Sequence, residues 1–347
     1  MKVEKKKTGI LGAGGFTGIE LLSVLSKHKN AEVVYATSGE YSKKRIVDVF
    51  PFLKTSALET LEFSEHPQTI DDIPELDAIF LAVPDDVSAK WVPLLLKRNI
   101  KVIDISGIWR ISDDAVSMKY YGVDRNNSET LKKAVYGMTE INRDKIKSAG
   151  LIANPGCYPT AAILPLWYMK DFLSDRQGFI FIDAKSGTSG AGGRKEKDGM
   201  PFSGVHENFR AYKTGRHQHE PEIFQELNHF LPNTKVNFTP HLLPLFRGIH
   251  CSVYINSNIS IPPEEMKDRI IERTKNEPFI RYYSSPDEIE LKNIQNTNFL
   301  DFSFYYDNEK KVLTIISAID NLLKGAAGQA VQNFNLMLNF PETEGLI

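Results

Sequence analysis

The sequence predicts an α/β chain: a doubly wound parallel sheet, then an α+β region whose sheet is mostly antiparallel. Three observations predict it. Short apolar runs alternate with helix-length amphipathic stretches from Thr8 to Ala153. A glycine-rich turn, Gly12-Ala13-Gly14-Gly15-Phe16-Thr17-Gly18, joins the first run to the first helix. Past Leu166 the alternation gives way to β-prone runs. At 347 residues the chain exceeds the size at which one core stops growing, so two domains are expected. Their expected bounds are 1–156 and 157–324, with a last helix in 325–347 returning to the first domain.

Thr8–Leu11 is a short apolar strand, and the helix after the glycine turn sets Leu21, Leu22 and Leu25 on one face. Such a turn lets backbone N–H groups approach a phosphate at a helix N-terminus. The spacing is Gly-x-x-Gly-x-x-Gly rather than the strict Gly-x-Gly-x-x-Gly form, and any tight strand-to-helix turn can use glycines. Gly12, Gly14, Gly15, Phe16, Thr17 and Gly18 are therefore dinucleotide candidates by position, near the N-terminus between two strands. The second strand, Glu32–Thr37, ends at Ser38. An NAD site places an acidic residue there. Ser38 followed by Lys43, Lys44 and Arg45 suits a 2′-phosphate and hence NADP(H), unless that basic run is simply solvated.

Ala78–Val83 reads as a buried parallel strand, with Pro84-Asp85-Asp86 turning into a helix through Leu96. Val102–Ser106 and Leu151–Ala153 continue the sheet. Ligands of such sheets lie outside the carboxyl ends of the strands, which places Gly12, Ser38, Pro84, Ser106 and Cys157 along one edge.

In Asn154-Pro155-Gly156-Cys157-Tyr158-Pro159, proline and glycine force a sharp turn, and Pro159 suits a helix's first turn. Cys157 thereby falls at or just before a helix N-terminus, whose dipole favours a thiolate. The alternative is a buried structural cysteine, the commoner fate of a lone one. Pro165 should kink or shorten the helix.

Phe179–Ala184 is a strong strand. The polar segment Lys185–Glu220 has no hydrophobic period, and a loop of that length is functional or disordered. It ends at His217-Gln218-His219-Glu220-Pro221-Glu222, where Pro221 and Glu222 start a helix, Ile223–Phe230. His217 and His219 are the candidate bases; in extended chain they would face opposite sides. Val236–Thr239, Ile249–Ile255 and a hairpin of Phe302–Tyr306 with Val312–Ala318 complete the second sheet. A helix over Pro263–Thr274 packs on them, and a last one spans about Ala326–Leu338.

A formal net charge of −2 gives no electrostatic case for nucleic acid or an anionic membrane. No apolar run approaches a ~20-residue span and no signal-peptide pattern precedes the first strand, so a cytoplasmic setting is expected. Two cysteines, Cys157 and Cys251, make no disulfide framework, and no metal is expected. A nicotinamide-binding fold with a thiolate suggests acyl chemistry. A carboxylate refuses a hydride, whereas the thioester formed from an acyl phosphate accepts one. Arg110 stands after the Val102–Ser106 strand as cationic help for the phosphate.

These stretches together resemble the N-acetyl-γ-glutamyl-phosphate reductases of arginine biosynthesis, within the wider semialdehyde dehydrogenase group. The likeness covers Gly12–Gly18, Asn154–Thr160, Ser186–Gly192, His217–Glu222 and Asp320–Asn333. It implies a Rossmann domain, a dimerising catalytic domain and NADPH-dependent reduction of N-acetyl-γ-glutamyl phosphate. By that likeness Cys157 is the nucleophile and His217 or His219 the acid/base. Asn321, with Ser186 and Gly187, would serve the cofactor; Arg110, with Asn154 and Glu222, the substrate. It also implies a homodimer or homotetramer. Ser106-Gly107-Ile108-Trp109-Arg110, Pro84-Asp85-Asp86 and Tyr136-Gly137-Met138-Thr139-Glu140 depart from the family's usual runs. Aspartate-semialdehyde and lysine-pathway aminoadipyl-phosphate reductases share the chemistry. A non-catalytic NADP-binding redox sensor with Cys157 as its switch would leave the paired histidines unexplained.

Overall fold

A computed structural model describes residues 5–54, 56–125, 128–191 and 205–347. The chain divides into two compact units, Met1–Pro155 with Ala326–Ile347, and Gly156–Gly325. Helices are numbered along the chain: α1 (Phe16–Leu25), α2 (Ile46–Val49), α3 (Asp85–Lys97), α4 (Asp114–Tyr121), α5 (Ser128–Lys133), α6 (Thr139–Lys147), α7 (Cys157–Met169), α8 (His219–Phe230), α9 (Pro263–Thr274) and α10 (Gly328–Met337).

In the first unit β1 (Lys6–Leu11), β2 (Ala31–Ala36), β3 (Ala78–Leu81), β4 (Lys101–Asp104), β5 (Ala134–Tyr136) and β6 (Leu151–Ala153) form one sheet. It is parallel throughout, in the order β2-β1-β3-β4-β6-β5. The chain leaves β1 on one side for β2 and returns on the other for β3, so the strand order reverses at β1. That reversal opens the crevice in which such sheets bind ligands. Trp91, Val92 and Leu95 of α3 join Ile79, Leu81 and Val102 in one apolar cluster.

Helix α10 belongs to this unit and is buried even at Gln329, Gln332, Asn333 and Asn335. Buried amides need partners, and these have them. Asn333 Nδ2 donates to the Gly137 carbonyl at 2.7 Å, and Thr139 Oγ1 donates to Asn333 Oδ1 at 2.7 Å. Gln329 Nε2 reaches Gly137 and Thr139, and Gln332 Nε2 reaches Glu140. The helix expected at Ala326 is preceded by a π-helical turn, Leu323–Ala327.

The second unit is built on β7 (Arg176–Ser186), β8 (Arg210–Ala211), β9 (Lys235–Leu242), β10 (Ile249–Ser257), β11 (Ile280–Tyr282), β12 (Leu300–Asp307) and β13 (Val312–Ile319). Their order is β11-β12-β13-β10-β7-β9-β8. Neighbours are antiparallel except β11 with β12 and β7 with β9, so the sheet is mostly antiparallel. Alternation decides its faces. Ile180, Ile182, Val253, Ile255, Leu313 and Ile315 are buried, whereas Phe181, Tyr254 and Tyr305 are exposed on the other face.

Three expectations change. Helix α7 is not shortened at Pro165 but runs on to Met169. Proline removes the N–H that would bond the carbonyl four residues back. Ser317 Oγ on β13 donates to that carbonyl, Ala161 O, at 2.7 Å and replaces the missing bond. Helix α8 begins at His219 rather than beside Pro221, because proline fits anywhere in a first turn, whose N–H groups have no helical partner. The Lys185–Glu220 segment is also not wholly irregular: β8 pairs with β9, and Tyr212 N donates to Pro240 O at 3.0 Å. Gly192, Gly193 and Arg194, with the rest of 192–204, lie outside the described residues.

Candidate active site

The glycine turn of the first unit is closely fitted. Gly12 has φ +85°, and a Cβ there would lie 2.3 Å from the Ala82 carbonyl. A Cβ on Gly18 would lie 2.4 Å from the Gly12 carbonyl, and one on Gly14 would lie 2.5 Å from Ser38 Oγ. No side chain fits these positions, so backbone lines the turn. Gly15 is the N-cap of α1 with no side-chain cap, and Phe16, Thr17 and Gly18 are its first three residues. Such an uncapped helix start, with its N–H groups free of a side-chain cap, suits a pyrophosphate. Ser38 is buried, and its Oγ accepts the Tyr41 N–H at 3.1 Å. Lys43 pairs with Glu65 at 2.9 Å, and Arg45 grips Asp48 through two bonds of 2.8 Å.

At the end of β4, Asp104 is wholly buried, and Ser88 and Ser106 hydroxyls donate to its two oxygens at 2.7 and 2.6 Å. Burial pushes its carboxyl up to about 6 in spite of those hydroxyls and of Arg110 nearby. Trp109 Nε1 donates to Ser88 Oγ at 3.1 Å, extending the network. Arg110 is buried as well, and its Nη2 donates to the Ile105 carbonyl at 2.7 Å. In the Gly107 position of this loop a Cβ would lie 2.1 Å from Tyr121, which accounts for the glycine.

In the second unit Cys157 is the first residue of α7 and is half-buried, with Gly156 as N-cap. Three groups fix that turn. Glu222, wholly buried on α8, accepts the Gly156 N–H at 2.8 Å. His219 packs on the same residue: a Cβ on Gly156 would lie 2.4 Å from His219 Nε2. Gly325 approaches from the π-helical turn, where a Cβ would lie 2.8 Å from Cys157 Cβ. Helix interruptions of that kind recur at functional sites.

The two histidines differ sharply. Because α8 starts at His219, the rings do not point apart but meet edge to face at 4.8 Å, both against Tyr158. His217 Nδ1 accepts the His219 N–H at 3.1 Å, so its proton sits on Nε2. From there a directed chain runs through Tyr212 Oη (3.4 Å), Tyr158 Oη (3.1 Å) and the His241 carbonyl (3.2 Å). Burial, helped by Lys213, pushes His217 down to about 3. It stays neutral, with both nitrogens committed to hydrogen bonds. Tyr158 and Tyr212, whose hydroxyls burial pushes up, were not singled out by sequence; only adjacency to Cys157 marked Tyr158.

The remaining candidates are held by hydrogen bonds within the chain. Asn321 accepts the Gly248 N–H at 2.7 Å and donates to Ser189 Oγ at 2.8 Å. Gly187 donates to Gly248 O at 2.8 Å, and a Cβ there would lie 2.6 Å from Phe246 O. Ser186 Oγ donates to the Gly187 carbonyl at 2.9 Å. Within the first unit Asn154 bonds Ala326 O at 3.2 Å and Asn333 at 3.1 Å. Asp320, missed in the sequence, is buried and accepts Arg247 Nη1 at 3.0 Å and the Asn296 N–H at 2.8 Å. Cys251 is buried, and its thiol is pushed up to about 12 by burial.

Residues 7–149 match the semialdehyde dehydrogenase NAD binding domain, and residues 157–321 match the semialdehyde dehydrogenase dimerisation domain. An N-acetyl-gamma-glutamyl-phosphate reductase of Leptospira interrogans is 43% identical over 97% of this chain and 98% of its own. One from Geobacillus stearothermophilus is 39% identical over 97% and 96%. Among solved structures, aspartate semialdehyde dehydrogenase II of Vibrio cholerae, complexed with ASA, superposes with a TM-score of 0.70 at 17% identity, covering 97% of this chain and 99% of that one. The Candida albicans enzyme with NADP does so at 0.69 and 15%, covering 96% and 98%. Those two share the fold. At the identities of the first two, over nearly all of both chains, this chain belongs to the N-acetyl-γ-glutamyl-phosphate reductase family of semialdehyde dehydrogenases.

Proposed function

We propose that the chain reduces N-acetyl-γ-glutamyl phosphate to the semialdehyde and phosphate, at the expense of NADPH, through a thioester on Cys157. The observation that carries it is the Cys157 turn: a half-buried cysteine opening a helix, with Glu222 holding the Gly156 N–H and the His219 imidazole against Gly156. His219 takes the thiol proton, and the sulfur attacks the acyl carbon. The C–O bond to phosphate breaks, and phosphate leaves. NADPH, when bound, supplies the hydride that reduces the thioester carbonyl. Collapse of the hemithioacetal breaks the C–S bond and returns the Cys157 thiolate with the aldehyde. Gly12, Gly14 and Gly18 give the nucleotide's pyrophosphate a backbone-lined seat at α1. Glu222 and His217 are positioning residues. A free thiol in the mechanism suits a reducing, cytoplasmic compartment.

The test runs the reaction backwards. N-acetylglutamate semialdehyde, inorganic phosphate and NADP should give phosphate-dependent NADPH. Turnover with aspartate semialdehyde instead, or with NAD in preference, would overturn the reading.

The second unit also carries the dimer. Phe181, Tyr254, Thr314 and Tyr305 stand in one row across β7, β10, β13 and β12. Three of the four are exposed aromatics, and an apolar row of that kind marks an interface with a second copy. Phe181→Asp with Tyr254→Asp should yield monomer in sedimentation at micromolar concentration. An unchanged oligomer would place the interface elsewhere.

A further inference from the structure

We propose that His66 is the residue that selects the cofactor's 2′-phosphate, an inference that rests on the NADPH reading above. The sequence directs attention to Lys43, Lys44 and Arg45, but two of these have other work. Lys43 is paired with Glu65, and Arg45 is bound twice by Asp48. His66 lies elsewhere in the sequence and is brought to the end of β2 by the segment before it.

That segment is zipped onto the strand end. Ser64 N donates to Ala36 O at 2.8 Å, Ser38 N donates to Ser64 O at 3.1 Å, and Thr37 bridges Ser64. On its other side Lys43 N donates to Phe63 O at 2.7 Å and Phe63 N donates to Lys44 O at 2.9 Å. Phe63 is buried among Tyr41 and Phe50, which locks both loops. The imidazole is therefore presented on a rigid frame, with its body in solvent.

Its ring is anchored at one nitrogen. The Gly12 N–H donates to Thr37 Oγ1 at 3.1 Å, and that oxygen lies 3.2 Å from His66 Nδ1. We take the Thr37 hydroxyl as donor to Nδ1, which puts the ring hydrogen on Nε2. Nε2 is the atom of His66 nearest Gly39: a Cβ on Gly39 would lie 3.4 Å from it. The donor thus faces the Ser38-Gly39 corner, where this class of sheet holds the adenosine ribose and where an NAD site would set a carboxylate. A phosphate monoester offers acceptor oxygens to that N–H; a carboxylate in the same place would repel it. The same Thr37 holds the glycine turn, with its carbonyl on the Ala13 N–H at 2.8 Å, so the pyrophosphate seat and the 2′ position are fixed by one residue.

Binding, not turnover, is the test. Adenosine 2′,5′-bisphosphate and adenosine 5′-monophosphate differ only in the 2′-phosphate, and calorimetry on the full chain gives both affinities. His66→Ala should weaken the bisphosphate about tenfold, the effect of one charge-assisted hydrogen bond, and leave the monophosphate unchanged. His66→Gln, which keeps an N–H donor, should recover part of the loss. Equal weakening of both ligands by His66→Ala would reduce His66 to a prop for Thr37 and overturn the proposal. So would an unchanged preference in that variant while the unsubstituted chain still favours the bisphosphate. An unsubstituted chain that favours the monophosphate would overturn the NADPH reading itself.

Discussion

Cys157→Ala should abolish turnover, by at least ~10⁴-fold, while Cys251→Ala should leave kcat nearly unchanged. The two thiols are chemically opposite. Cys157 opens α7, half-buried, beside the Glu222 and His219 contacts to Gly156. Cys251 is buried in the second sheet, and with its thiol pushed up to about 12 it supplies no thiolate near neutral pH. Truncating Cys251 removes one buried sulfur and costs about 1–2 kcal/mol of stability, which melting would register and kcat would not. Loss of the Cys157 sulfur leaves the first unit's glycine turn untouched, so nucleotide binding to Cys157→Ala stays intact by calorimetry. Equal losses of kcat from both substitutions would remove Cys157 from its assigned role.

The second large effect separates the histidines. His219→Asn lowers kcat by roughly 10²–10⁴-fold, the ordinary range for removing a general acid or base, and deletes the acidic limb of the pH–rate profile. His217→Asn lowers kcat less and keeps that limb, because His217 does not titrate near neutral pH. Its pKa is pushed down to about 3 by burial and Lys213. The linkage has a definite sign. An unfolded histidine takes its proton near about 6.5, so below that pH the unfolded state binds more protons than the folded one. The stability from neutral, buried His217 is complete above about 6.5 and falls as pH drops toward about 3. His217→Asn flattens that slope. A pH–rate profile that loses its acidic limb in His217→Asn instead would exchange the two roles.

Much of this site was legible, for identifiable reasons. Gly12, Gly14 and Gly18 could be read because backbone that approaches backbone excludes a Cβ, and that leaves glycines at fixed spacing. Cys157 could be read because Pro155 and Gly156 before it and Pro159 after it dictate a turn into a helix. What escaped depends on partners distant in the chain. Pro165 looked like a stop until Ser317 supplied the bond that the proline removes. Lys43 and Arg45 looked available until Glu65 and Asp48 were beside them. An extended-chain period of two sets the histidines on opposite sides, whereas the helix begins at the second of them, His219. Strands β5, β8 and β11, of three, two and three residues, are too short to carry any period.

The central claim is an acyl group carried on the Cys157 sulfur, and intact-mass spectrometry after rapid acid quench reads it directly. Mixed with N-acetylglutamate semialdehyde and NADP but no phosphate, the enzyme should gain one N-acetylglutamyl group, mapped by proteolysis to Cys157. Added phosphate should discharge it as NADPH accumulates, and Cys157→Ala should never acquire it. Steady NADPH formation without any acylated species, or acylation at a different residue, would contradict the account.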